Sequence, residues 1–385
     1  MGTRTPDWQP MDPWVLDDQL AAYDRQRRNC PVASSAELGW SLFRHAEVMA
    51  VLADHETFSS QVSRHLAVPN GMDPPQHTSF RRLIDPYFTP ERVEGYAAMF
   101  RAIAAELVAL LPDGEVEIMG ALAHPFAARA QCVFMGWPKQ LHEPLRVWTA
   151  ASQDATRQQD RQRISELAEE FDAIIRAQLE HRRAADAEAC DDTTAQLLSE
   201  RVDGRSLSED ELVSIIRNWT AGELGTIAAS VGILARHLAG DPTLQVRLRV
   251  GELPLRPVID ELLRLDGPLV ANRRRTTREV ELGGRRIPAG ARVTILWPSA
   301  NRDEVVFGDE VFDPVAHADD NLLYGTGIHA CPGAPLARRE LEILVEELLA
   351  GTGELRPAGP PVRAHYPAGG YTSVPLTVAR PAGAA

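Results

Sequence analysis

Apolar residues recur at three- and four-residue intervals over long stretches of this chain, the spacing of one face of an α-helix. Residues 46–54 (AEVMAVLAD), 92–111, 163–189, 210–239, 256–265 and 335–350 all carry it. Alternating apolar and polar positions, the mark of a half-buried strand, are confined to short runs. These are residues 279–297 (EVELGGRRIPAGARVTILW), with a Gly-Gly turn, and 373–379 (SVPLTVA). The pattern predicts a mainly α protein with small β-sheets at its margin. A helix from Asp210 to Ala239 would be about 45 Å long, enough to cross the core of a whole domain. In its middle the large residues give way to TAGELGT, Thr220 to Thr226. Gly222 and Gly225 each cost roughly 1 kcal/mol of helix propensity relative to Ala, so the loss of bulk predicts a bulky group against that face.

Composition narrows the classes. The 385 residues are 44% apolar and 24% charged, enough to fill a substantial core. No fixed-period repeat occurs, so one continuous fold is expected over 1–385, with 379–385 (ARPAGAA at its end) a flexible tail or the start of a linker. No run of about 18 apolar residues and no leader pattern is present, which predicts a cytoplasmic chain without a membrane partner. A formal charge of −14 argues against nucleic acid, because phosphate binding needs a basic face. The four cysteines, Cys30, Cys132, Cys190 and Cys331, form no CxxC pair, which argues against a disulfide framework or a structural zinc site.

Three of those cysteines read as small buried fillers. Cys331 does not, because Gly325, Gly327 and Gly333 surround it, and glycines there cost order unless backbone must approach something closely or take positive φ. GTGIHA, Gly325 to Ala330, also matches a dinucleotide fingerprint, but a helical pattern and a short Pro- and Gly-rich tail follow where a second strand is needed. A thiolate on haem iron uses every part of the segment. Cys331 would be the ligand, the glycines would let a flat macrocycle approach, and His329 would face a propionate. The helix after Pro332 and Pro335 would turn its positive end toward the sulfur.

YGTGIHACPGAPLARRE, Tyr324 to Glu340, resembles the cysteine-ligand loop of the cytochrome P450 family, with Tyr324 where that family usually has Phe. The resemblance runs from about Asp12 to Val378. It implies the family's mostly helical fold with haem b between a long central helix and the Cys331 loop. HTSFRR resembles the family's HxxxR at His77 and Arg81, and RRRTTREVELGG its strand entry at Arg274; with His329 these are the implied propionate partners. ELLR resembles the family's ExxR, implying a buried brace of Glu261 and Arg264. A third partner is then expected from residues 306–317 (VFGDEVFDPVAH), one residue short of the common pattern, with His317 the candidate.

The glycine-rich middle of the long helix resembles the family's oxygen-binding stretch, placing Ala221 and Gly222 beside the cofactor and Thr226 at the threonine. Gly225 occupies the usual acid position, and Glu223 stands three residues before Thr226. Thr226 and Glu223 are therefore the expected proton-handling pair. Apolar substrate walls are expected from Leu269 and Val270 and from Tyr371 and Thr372.

The implied activity is a monooxygenase inserting one oxygen atom of O2 into a small, largely apolar molecule. The implied electron source is NAD(P)H, through a ferredoxin and reductase outside this chain. Residues 68–90 and 218–234 also resemble haem domains of bacterial self-sufficient enzymes, which carry a fused phthalate-dioxygenase-type reductase. Arg338 and Arg339, on the helix after Cys331, are expected to meet an acidic ferredoxin. A non-catalytic haem sensor or carrier would keep Cys331 and the propionate cations without needing Thr226, and a dinucleotide oxidoreductase would need neither.

Overall fold

In the computed structural model, which describes residues 7–184, 191–308 and 312–381, the long helix runs over Glu209–Gly240. Its start is chemically dictated. The Ser208 hydroxyl accepts from the Glu211 N–H at 3.2 Å while the Glu211 carboxylate accepts from the Ser208 N–H at 2.8 Å, a capping box that satisfies donors at each end of the first turn. Glu209, Asp210 and Glu211 add negative charge where the helix dipole is positive. At its far end Asp241 caps the next helix, Pro242–Arg249, by accepting from Leu244 N–H at 2.9 Å.

The expected continuous fold takes the form of two compact units, each assembled from separated stretches. One comprises Met1–Thr78, Asp260–Cys331 and His365–Gly369. Its centre is a five-stranded sheet in the order Val32–Ser35, Gly39–Leu42, Arg292–Leu296, Ala271–Thr276, Phe58–Ser59. All neighbours are antiparallel except Arg292–Leu296 against Gly39–Leu42. Trp40, Leu42, Val48, Phe58, Val293 and Ile295 pack one core of this unit, and Trp8, Tyr23, Phe43, Val270 and Leu296 another.

The other unit comprises Ser79–Ile259, Pro332–Ala364 and Gly370–Ala385. Around the long helix pack His124–Met135, His142–Arg157, Arg161–Ala184 and Ala334–Gly351, the last also lying along Ala97–Ala109. Gly232 in the long helix is required by contact: a Cβ there would meet Met119 Sδ at 2.4 Å, in the π-turn Met119–Ala123. A small antiparallel sheet, Leu355–Pro357, Pro375–Val378 and Gly114–Glu117, completes the unit with the hairpin strands Val362–Arg363 and Tyr371–Ser373.

Two expectations change. The run 92–111 is not one helix: Pro90–Glu94, capped by Thr89, ends at Gly95, whose N–H turns back to Arg92, and Ala97–Ala109 begins anew. The first two residues of the expected tail, Ala379 and Arg380, are tied to the fold. Ala379 N–H donates to the Glu354 carbonyl at 2.9 Å and Arg380 Nη2 to the Ala109 carbonyl at 2.9 Å, so hydrogen bonds hold both residues. Residues 185–189 of the expected helix, Cys190 and the end of the tail lie outside the described residues. Among the described residues no helix is long and apolar enough to cross a membrane.

Candidate functional site

The Cys331 loop is built by left-handed glycines. Gly325 and Gly327 have φ of +65° and +71°, and a Cβ on Gly327 would stand 3.0 Å from the Leu52 carbonyl oxygen. Both requirements exclude larger residues. The Gly327–His329 turn then brings the chain around so that Cys331 N–H donates to the Tyr324 carbonyl at 2.9 Å, leaving the Cys331 side chain exposed. The other described cysteines differ. Cys132 is buried, its thiol pushed up to about 12 by desolvation. Cys30 is half-buried, packed against the core of Trp8, Tyr23 and Phe43, and its sulfur accepts from Arg285 Nη1 at 3.4 Å.

His329 and His77 meet, ring centroids 4.3 Å apart, and His329 Nε2 lies 2.9 Å from Ser60 Oγ. Ser60 and Ser59 are in turn fixed by Asp73, which accepts from Ser60 N–H at 2.9 Å and from Ser59 Oγ at 2.5 Å. Sequence reading missed this serine and aspartate support, since a polar loop shows no periodicity. Arg274 stands on the strand Ala271–Thr276, opposite Val293, and is 8% exposed. Among the described residues its guanidinium forms no ion pair; Nη1 donates to the Arg273 carbonyl at 2.9 Å. Burial lowers its proton affinity, and the charge of Asp73 works in the opposite sense. A desolvated cation without an ion-pair partner is costly, and a carboxylate brought to it would relieve that cost. Arg81, on the same helix as His77 (Gln76–Ile84), lies with Nε 2.8 Å from Asp85.

The expected brace is formed and buried. Glu261 and Arg264 are 2% and 1% exposed. Arg264 Nε and Nη2 donate to the two Glu261 oxygens at 2.7 and 2.8 Å, and Nη1 donates to the Asn301 carbonyl. His317 is the third partner: Nδ1 is 2.7 Å from Glu261 Oε1, and Nε2 faces the Phe307 carbonyl at 3.1 Å. Asp313 N–H adds a bond to the same carboxylate at 3.1 Å. Desolvation alone would raise the Glu261 pKa, but the bonds from Arg264 and His317 outweigh it and hold it below the usual carboxylate range.

In the other unit the long helix, elsewhere largely buried, exposes Ala221 and Gly222 and half-exposes Gly225 and Thr226. A Cβ on Gly222 would meet nothing within 4 Å. The Thr226 hydroxyl donates to the Gly222 carbonyl at 2.7 Å, so its lone pairs remain as acceptors. Glu223 is half-buried. Its Oε1 is buried without a hydrogen-bond partner among the described residues, and desolvation pushes its pKa up to about 7, a rise that Glu340 opposes. Glu340 went unnoticed in the sequence, though a signal exists: in LARRELEILVEELL it shares the helical face of Leu336, Ile343 and Leu344, all buried.

The expected substrate walls divide. Leu269 is 38% exposed, whereas Val270 is spent in the core against Trp8 and Phe43. Tyr371 is buried beneath Arg236 and Arg363, the latter donating to its hydroxyl at 3.0 Å, while Thr372 is exposed. Arg339, expected to meet a ferredoxin, is ion-paired with Glu94, whose two oxygens lie 2.9 and 3.0 Å from its Nε and Nη2.

Comparison with known proteins follows these features. The family model described as Cytochrome P450 matches residues 140–351. The chain is 31% identical to the cyclomarin C epoxidase of Salinispora arenicola over 84% of its own length and 86% of that protein's. It is 30% identical to the erythromycin C-12 hydroxylase of Saccharopolyspora erythraea, over 88% and 89%. Among solved structures, a mutant of P450 EryK in complex with erythromycin B superposes with a TM-score of 0.87 at 27% identity, covering 96% of this chain and 99% of that one. Epothilone D-bound P450epoK gives 0.86 at 26%, covering 97% and 99%.

Proposed function

The chain belongs to the cytochrome P450 family and is a haem monooxygenase, and within that activity we propose that Cys331 is the iron ligand, with His77, Arg81, Arg274 and His329 serving the propionates and Thr226 and Glu223 the proton supply. The observation that carries the assignment is the loop itself, where two left-handed glycines present an exposed Cys331 whose own N–H is already bonded to Tyr324. Tyr324, Gly325 and Gly327 shape that loop, and Ala221 and Gly222 offer the long helix's small face to the cofactor.

Haem bound through a cysteine thiolate activates O2 with two electrons and two protons, so that one oxygen atom enters the substrate and the other leaves as water. The protein's own groups do the rest. Arg274 supplies a buried positive charge for a carboxylate. Glu261, Arg264 and His317 hold the segment around Asn301 and Phe307 rigid. Thr226, its hydrogen committed to Gly222, accepts a hydrogen bond and so holds a proton donor in place. Glu223 supplies a titratable group one helical turn away.

The substrate is a largely apolar molecule; relatives named as a cyclomarin epoxidase and an erythromycin hydroxylase favour a natural product carrying an unactivated C–H or C=C bond. Electrons come from NAD(P)H through a ferredoxin and reductase, or through a reductase of the phthalate-dioxygenase type, and the reaction is cytoplasmic. That hydroxylases and epoxidases stand among the relatives disfavours a non-catalytic haem carrier. The test is the carbon monoxide spectrum of the reduced protein. Thiolate ligation gives the red-shifted Soret band; Cys331→Ala loses it, and alanine at Cys30 or Cys132 keeps it. A band unchanged in Cys331→Ala overturns the assignment.

A further inference from the structure

The strand Ala271–Thr276 carries three consecutive arginines, and its pleat sends them to opposite faces of the sheet. Arg274 is buried on one face, while Arg273 and Arg275 are exposed on the other. In the neighbouring strand Arg292 stands directly opposite Arg275, exposed on that same outer face. Like charges opposed across two strands destabilise a sheet. No carboxylate relieves them: among the described residues none of the three forms an ion pair. Other exposed arginines of this unit do, Arg278 with Asp54 and Arg286 with Glu279. Each of the three is positioned instead by a neutral contact. Arg273 Nη2 donates to the Tyr366 hydroxyl at 3.1 Å, and Arg292 Nη1 donates to the Glu37 carbonyl at 3.1 Å rather than to its carboxylate. Arg275 lies against the turn at Gly290, where a Cβ would stand 3.5 Å from its Nη2. Three guanidinium groups are thus held on one outer face with most of their N–H donors unspent.

We propose that Arg273, Arg275 and Arg292 form a docking surface for an extended acidic segment of a partner protein. The spacing favours that occupant. Alternate residues of a strand lie about 7 Å apart and directly opposed ones about 5 Å, so the three cations form a compact triangle. An extended segment with acids at alternate positions presents its carboxylates at the same interval of about 7 Å. Each carboxylate can take two parallel N–H bonds from one guanidinium. A lone phosphate is held instead where main-chain N–H groups converge, and here Arg275 sits between Arg292 and Ser59 in the sheet, its backbone facing the neighbouring strands. The chain's charge of −14 opposes a long nucleic-acid polyanion, whereas three local cations attract a short acidic segment. The proposal does not depend on which residue binds iron.

The test uses the haem-loaded protein and a fluorescein-labelled peptide of alternating glutamate and threonine. Anisotropy should report binding at about 20 mM salt that weakens about tenfold or more at about 200 mM. Arg292→Glu places a carboxylate opposite Arg275 and satisfies that cation within the sheet. The variant should melt no lower than the unmodified protein and bind the peptide about tenfold more weakly or not at all. Arg275→Gln should show the same loss without reversing a charge. Arg278→Glu changes the net charge as much as Arg292→Glu, but at a cation already paired with Asp54, and should leave peptide affinity nearly unchanged. No peptide binding at low salt, or an equal loss in Arg278→Glu and Arg292→Glu, overturns the proposal. Pyrophosphate that displaces the labelled peptide at a lower concentration than unlabelled peptide does would assign the surface to phosphate chemistry and overturn it as well. Sedimentation velocity at the same low salt decides the remaining occupant: self-association that Arg292→Glu abolishes would give the surface to a second copy of the chain in place of an acidic partner.

Discussion

Arg264 reaches back one turn to Glu261 and binds both oxygens of its carboxylate, at 2.7 and 2.8 Å, while His317 closes on the same carboxylate from a distant stretch of chain. An i, i+3 pair on a helix surface is worth a few tenths of a kcal/mol. This one is buried, and its value lies in what its removal leaves behind.

Glu261→Ala removes the carboxylate that pairs with the buried Arg264, a loss of about 3–5 kcal/mol. The expected outcome is a large fall in melting temperature together with poor haem incorporation. A variant that melts and loads haem like the unmodified protein would show the brace to be dispensable.

The same carboxylate fixes the acid side of stability. Its folded pKa lies below its unfolded value of about 4.3, so its contribution is complete above that pH and is lost as pH falls through the folded value. His317→Gln should raise the pH at which acid unfolding begins. Coincident acid unfolding curves would count against the third partner.

Glu340 has the opposite sign. Its folded pKa is raised, so stability is full below about 4.3 and declines as pH rises from there toward the folded value. Glu340→Gln should therefore flatten the slope of stability against pH between about 5 and 7 and should melt no lower than the unmodified protein at neutral pH. Urea titrations at several pH values measure it.

Arg274→Leu separates stability from cofactor retention. Removing a desolvated charge should leave the haem-free protein as stable as before or more so. Losing a charge-assisted hydrogen bond of ~1.5–3 kcal/mol should speed haem loss about tenfold or more. Transfer of haem to an acceptor protein follows the second effect, and unchanged transfer would remove Arg274 from the propionate partners.

Thr226→Ala should leave substrate-induced spectral changes nearly intact while diverting electrons to hydrogen peroxide, because the acceptor that holds the proton donor is gone. Product and peroxide are quantified per NAD(P)H consumed; normal coupling would exclude the hydroxyl.

Local chemistry made much of this protein legible from its sequence. The extent of the long helix follows from its capping box, its acidic first turn and its 3.6-residue periodicity, none of which needs a partner. Gly325 and Gly327 announced positive φ, and the ExxR spacing put Glu261 and Arg264 on one helical face. What the sequence could not decide is where polar groups end. Glu261 and Glu223 are both acids on amphipathic helices, yet one is held ionised by Arg264 and His317 and the other is driven toward its neutral form by desolvation. His317 is 56 residues from Glu261, and Glu340 is 117 from Glu223. The proton affinity of a carboxyl group depends on the donors, charges and water within a few ångströms. Only the folded chain brings those groups together, and it likewise sent Val270 into the core and Arg339 to Glu94.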